Sequence, residues 1–158
     1  MRVLSVDPGY DRVGLAVLEM QNRESVLYSS CIETDKKAEM SDRLCFIGKE
    51  FTSIIKLYKP DVIAIEKIFF NKNIKTAIAV AQARGTLIYI GKKAGCRIYE
   101  FGPQEIKIAV TGYGASSKND VRDMIIRLVS NVPKKALDDE YDAIAVGVTC
   151  LAHYRRNI

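Results

Sequence analysis

The sequence predicts an α/β fold: a five-stranded mixed sheet, with elements in the order βββαβαβααα and helices on both faces. Three observations carry this prediction. Apolar runs of strand length recur at Arg2 to Asp7, Val13 to Leu18, Ser25 to Thr34, Asp61 to Glu66 and Arg97 to Phe101. The first three are joined by short polar turns, which only antiparallel neighbours accept. From about Ser41 onward the apolar period changes to that of a helix, and helices then alternate with the remaining strands. A length of 158 residues suits one domain, 1–158, with a sizeable core.

The elements follow in order. Arg2 to Asp7 ends at the turn Pro8-Gly9-Tyr10-Asp11, and the next two strands meet at Gln21-Asn22-Arg23, giving a meander. Leu44, Ile47, Phe51, Ile54, Ile55 and Tyr58 keep helical spacing, with Ser41 as the expected cap and Lys59-Pro60 as the stop. After the fourth strand comes an Asn71-Lys72-Asn73 loop and an alanine-rich helix from Ile74 to Lys93. The short fifth strand precedes a helix opening at Pro103, a favoured first helical position. Val121, Met124, Ile125 and Leu128 mark another helix after the small-residue loop Gly112 to Ser117, and the last begins near Asp138 and runs toward Arg155. The helix between strands three and four must carry the chain past strand one. Strands one and four then lie parallel and adjacent, and Asp7 and Glu66 emerge from neighbouring carboxyl ends, at the switch point where open α/β sheets place their sites.

Composition narrows the function classes. Hydrophobic residues make up 48% of the chain and there is no low-complexity tract, so a folded protein is expected. No window approaches the roughly 20 uncharged apolar residues of a membrane span, and Met1-Arg2-Val3 leads directly into strand-like sequence with neither a signal nor a transit peptide. A cytoplasmic location without membrane attachment is expected. The four cysteines, Cys31, Cys45, Cys96 and Cys150, are scattered without zinc-site spacing and read as reduced, buried, apolar-like residues. His153 is the only histidine and reads as a surface or cap residue, which removes most support for histidine-dependent nucleophilic catalysis. The net charge of +5 suits a polyanionic partner, but its basic pairs (Lys36-Lys37, Lys92-Lys93, Lys134-Lys135 and Arg155-Arg156 among them) form a nucleic-acid footprint only if the fold gathers them around a site.

Four acids stand where a structural role is least evident. Asp7 closes the run Val3-Leu4-Ser5-Val6, and Glu66 closes Val62-Ile63-Ala64-Ile65. Asp139 and Asp142 lie three apart, on one helix face, at the head of Ala143-Ile144-Ala145-Val146. Charged carboxylates at the ends of core elements are costly unless paired or bound to cations. Taken singly, Asp7 can serve a turn, Glu66 a buried ion pair, and the acids around Asp139 a helix N-terminus. Taken together they offer a hard-oxygen cage for Mg²⁺ or Mn²⁺. Two such ions about 3.5–4 Å apart suit phosphodiester hydrolysis and require no histidine.

The Asp7-Pro8-Gly9 strand end, Ala64-Ile65-Glu66-Lys67-Ile68-Phe69, Ala81-Gln82-Ala83-Arg84-Gly85 and Asp139-x-x-Asp142-Ala143-Ile144-Ala145 fall in register along nearly the whole chain. Together they resemble the RuvC family of bacterial Holliday-junction resolvases, within the RNase H-like nuclease superfamily. The resemblance implies a Mg²⁺-dependent, homodimeric endonuclease that nicks two opposed strands of a four-way DNA junction, with Mn²⁺ as a possible substitute and a branch-migration motor of the RuvA-RuvB type as partner. It puts the catalytic and metal-binding carboxylates on Asp7, Glu66, Asp139 and Asp142. It puts a junction-inserting aromatic on Phe69, with Phe70 as a possible substitute, and two DNA-binding basic positions on Lys107 and Lys118. Base stacking on such an aromatic contributes ~1–3 kcal/mol. The same resemblance makes the Ile74 to Lys93 helix the dimer contact. The run Asp138-Asp139-Glu140 leaves the third ligand open by one residue, and the family spacing selects Asp139.

Two other readings of the same residues stay open: an RNase H-like enzyme acting on RNA or an RNA–DNA hybrid, and a non-catalytic nucleic-acid-binding module. A sugar-kinase or actin-like ATPase, which needs two such domains, is excluded by length.

Overall fold

Residues 1–68 and 74–155 are described by the computed structural model. The expected Phe69, Phe70 and Asn71-Lys72-Asn73 therefore lie outside the described residues.

The chain opens with a meander. Strand β1 (Arg2–Asp7) pairs antiparallel with β2 (Arg12–Met20), and β2 pairs with β3 (Glu24–Glu33). Helix α1 (Met40–Tyr58) then crosses to the other side of β1, where β4 (Val62–Glu66) lies parallel to it. Helix α2 (Ile74–Lys93) connects to β5 (Arg97–Phe101), which is parallel to β4. The sheet order is β3-β2-β1-β4-β5, the order that the crossover argument requires. Helices α3 (Pro103–Thr111), α4 (Lys118–Leu128) and α5 (Asp138–Arg155) complete the fold.

Period-two alternation in the strands divides the core in two. Leu4, Val6, Val13, Leu15, Val17, Ile63 and Ile65 point toward α1 and α2, where they pack with Ile47, Phe51 and Leu87. Val3, Ala16, Leu18, Val62 and Ala64 point the other way, into α3, α4 and α5. Burying each Val, Leu or Ile contributes roughly 1.5–3 kcal/mol, so both layers hold the sheet firmly. Helix α5 lies very close to the sheet. A Cβ added at Gly14 of β2 would run into the carbonyl oxygen of Asp139, and one at Gly147 would come within 2.8 Å of Ser5 Oγ. This contact fixes the start of α5 against the ends of β1 and β2.

Two sequence expectations need correction. Helix α1 starts one residue before Ser41, with Glu39 at the N-cap and no side-chain cap bond. Its stop agrees: Lys59 takes a left-handed conformation (φ 48°), its N–H bonds Ile55 O at 2.8 Å, and Pro60 follows. Of the cysteines, Cys96 and Cys150 are buried, whereas Cys31 is half-buried and Cys45 is exposed; all four are free thiols. Cys45 lies at a polar position of α1, outside the apolar stripe through Ile47, Phe51 and Ile55. Among the described residues no helix is long and apolar enough to cross a membrane.

Candidate active site

Parallel pairing of β1 with β4 sets Val6 opposite Ile65, so the next residues, Asp7 and Glu66, leave the sheet side by side. Their carboxyl groups share a hydrogen bond. Burial is the main reason that the Asp7 carboxyl is raised from 3.8 to about 8, with further upward pushes from the charges of Glu66, Asp142 and Asp139. Burial also raises Glu66, while the bond from Asp7 and the charge of Lys118 oppose that rise. Asp7 therefore keeps the proton that the pair shares.

Helix α5 brings the other two acids. Asp139 and Asp142 are three residues, about 4.5 Å of helix rise, apart. Asp142 lines a cleft of about 260 Å³ with Asp7, Glu66, Lys107 and Lys118, floored by Ile106, Val121 and Ala145. Lys118, the first residue of α4, donates from Nζ to Asp142 Oδ2 at 2.6 Å. That bond is the main reason its ammonium is raised above the ordinary lysine value. Ser117 caps α4, accepting from Asp120 N at 3.2 Å, which fixes the start of the helix that carries Lys118. Lys107 on α3 lines the opposite wall.

Asp139 is close enough to raise Asp7 but lines a second cleft, of about 630 Å³, with Gly9, Tyr10, Arg12 and Lys36. Its Oδ2 lies 3.7 Å from the Arg12 guanidinium. Its neighbours in the first turn of α5 have other surroundings. Glu140 accepts from Ser29 Oγ at 2.6 Å and from Leu137 N at 3.2 Å, and Asp138 is exposed. Of these three consecutive acids, Asp139 is the one whose charge pushes Asp7 upward.

Among the described residues, no three His, Cys, Asp or Glu are gathered closely enough to hold a metal ion. Asp7 and Glu66 are drawn together by a proton, Asp142 is held by Lys118, and Asp139 leans toward Arg12. The donor set nevertheless fits a hard divalent ion: it consists of carboxylate oxygens, and among the described residues the half-buried Asp7 forms no ion pair of its own.

Two residues that sequence reasoning missed support the turn after Asp7. Arg43 of α1 is buried, donates to Thr34 Oγ1 (2.9 Å) and Tyr10 O (2.9 Å), pairs with Asp11, and stacks over the Tyr10 ring at 4.9 Å. Its signal was available: position 43 continues the 47–51–54–55 apolar stripe of α1, where an unexplained charge points to a buried partner. Arg12 is the other, and only the three-dimensional approach of α5 to β2 reveals it.

Residues 3–150 match the family model "Crossover junction endodeoxyribonuclease RuvC". The chain belongs to the RuvC family. A family member from Halothermothrix orenii is 43% identical over 99% of this chain and 96% of its own length, and one from Finegoldia magna is 42% identical over 94% and 91%. Among solved structures, Thermus thermophilus RuvC in complex with a Holliday junction substrate aligns with a TM-score of 0.93 at 24% identity, covering 99% of this chain and 96% of that one. The yeast mitochondrial Holliday junction resolvase Ydc2 aligns at 0.71 and 13% identity, covering 98% and 81%. These structural likenesses show that the chain shares the fold of those two proteins.

Proposed function

We propose that this protein is a nuclease domain, 1–158, that resolves Holliday junctions by nicking two opposed strands of four-way DNA symmetrically. The carrying observation is the convergence of a half-buried, hydrogen-bonded Asp7–Glu66 pair with Asp142 in one cleft whose walls hold Lys107 and Lys118. Family membership supports the substrate.

In this reading Asp7, Glu66, Asp139 and Asp142 hold Mg²⁺, two ions per site, with Mn²⁺ able to replace it. When bound, the metal supplies Lewis acidity for activating a water and stabilising the leaving 3′ oxygen. The chain's own residues do the rest. Asp7 and Glu66 give up their shared proton, which turns a singly charged pair into a doubly charged one. Asp142 would hold the ion in place of the Lys118 ammonium, leaving Lys118 free to meet a phosphate of the scissile strand. Lys107 approaches the same strand from α3. Phe69, outside the described residues, follows Glu66 closely enough in sequence to stack on a base at the junction.

Symmetric nicking requires two sites, and a homodimer through α2 supplies them. Ile78 and Tyr89 of that helix are exposed in the single chain and support this contact. A branch-migration motor of the RuvA-RuvB type as partner and a cytoplasmic location complete the reading.

Incubation of a synthetic four-way junction with Mg²⁺, beside linear duplex and an RNA–DNA hybrid, tests it. Paired nicks at symmetric positions in the junction alone are expected. Cutting of the hybrid would transfer the protein to the ribonucleases, and binding without cutting to the non-catalytic modules.

A further inference from the structure

Arg12 opens β2, five residues after Asp7. On β2 the residues Gly14, Ala16 and Leu18 face α5, and Arg12 is on the same side of the strand by the period of two. Because Gly14 has no side chain, the first turn of α5 settles directly onto β2 and sets Asp139 beside the guanidinium of Arg12. The guanidinium sits between two carboxylates, 3.7 Å from Asp139 Oδ2 and 3.9 Å from Glu33 Oε2, with half of the side chain exposed. Both separations exceed a hydrogen bond. Among the described residues these two ion pairs hold Arg12 there, and it faces the cleft that also holds Tyr10 and Lys36.

This arrangement mirrors the other side of the site, where Lys118 balances Asp142. A divalent ion at Asp139 would cancel the charge that attracts Arg12 and would repel the guanidinium. The side chain would then be left on the rim of the second cleft, next to Lys36, with five donors free for a phosphate.

We propose that Arg12 is a metal-gated DNA contact: a counter-ion for Asp139 before the metal binds, and a ligand for a backbone phosphate of the junction afterwards. This inference rests on the junction-resolving reading above. It makes metal occupancy and DNA affinity cooperative on the Asp139 side, so that the protein holds junctions more tightly when it is loaded for cleavage. The Arg12–Asp139 contact competes with metal, so its removal weakens junction binding without weakening metal binding.

The test uses the full chain and its variants Arg12→Ala and Arg12→Lys. Mn²⁺ binding without DNA is followed by electron paramagnetic resonance. Binding of a four-way junction is followed by fluorescence anisotropy over a range of salt, in EDTA and again in Ca²⁺, a hard-oxygen ion used in place of Mg²⁺. Arg12→Ala is expected to bind Mn²⁺ as tightly as wild type or up to severalfold more tightly. Its junction affinity is expected to equal wild type in EDTA and to fall about 3- to 10-fold in Ca²⁺, with the log–log salt slope reduced by about one, the signature of one lost phosphate contact. Arg12→Lys should keep the slope. An equal loss in EDTA and Ca²⁺, no loss in either, or weaker Mn²⁺ binding would overturn the proposal. If wild type itself fails to bind the junction, the functional reading falls instead.

Discussion

Lys118 Nζ lies 2.6 Å from Asp142 Oδ2, joining the first residue of α4 to the first turns of α5 across the mouth of the candidate active site. The lysine side chain is 73% exposed and the aspartate 28%, so the bond is largely solvated and easily exchanged. It compensates one acid of the cluster and leaves a cation at the place where a DNA backbone would approach.

Replacing Lys118 with Ala is expected to weaken junction binding in the presence of divalent ion and to lower the salt slope by about one. The metal-free protein should also melt lower at pH 8, because Asp142 loses the cation that offsets Asp7 and Glu66. Anisotropy titrations and thermal melts check the two effects; unchanged binding would return Lys118 to a purely structural pairing.

Asp7→Asn is expected to reduce cleavage by at least about 100-fold, the scale of losing one preorganised electrostatic element. Junction binding should persist, since the substitution removes negative charge from a site meant for a polyanion. In metal-free buffer at pH 8 the variant should melt above wild type, because it no longer buries a titrating acid. A variant that cleaves normally would remove Asp7 from the metal site.

The elevated Asp7 carboxyl predicts how metal-free stability varies with pH. Between its ordinary 3.8 and about 8, the folded protein keeps a proton that the unfolded chain has lost. The native state then binds more protons, so stability falls as pH rises through this window and levels off above it. Melting temperatures in EDTA from pH 5 to pH 9 should show this decline, and Asp7→Asn should flatten it. A rising curve in wild type, with Asp7→Asn unchanged, would contradict the burial of the acid.

Gly14→Ala tests how α5 is seated. The added methyl meets the Asp139 backbone, which cannot rotate away as a side chain can. A cost of ~1–3 kcal/mol is expected, with a fall of several degrees in melting temperature. Because the displaced residue is Asp139, the metal concentration needed for half-maximal cleavage should rise as well. A stable variant with an unshifted metal requirement would show that Asp139 is not held by this contact.

The strand order and the Asp7–Glu66 juxtaposition were legible in the sequence because both follow from chain geometry: a meander followed by a helical crossover leaves few places for β4. The spacing of Asp139 and Asp142 was legible for a similar local reason, a shared helix face. Pairings between distant elements were not. Arg12 meets Asp139 only because Gly14 lets α5 settle onto β2, and Lys118 meets Asp142 only because the start of α4 packs beside α5. The start of α1 was misplaced at Ser41 because a serine ahead of an apolar stripe looks like a cap even where the helix has already begun at Met40. Phe69, the aromatic with the clearest role by resemblance, lies outside the described residues, so its placement rests on sequence.

The central claim is that Asp7 and its neighbours form a divalent-metal site held shut by a proton. Calorimetric titration of Mn²⁺ into the protein at pH 7, repeated in buffers of different ionisation enthalpy, measures both the binding and the protons released. The account predicts saturable binding with close to one proton released per site, and loss of that release in Asp7→Asn. Absence of binding, or binding with no proton released and no effect of Asp7→Asn, would contradict it.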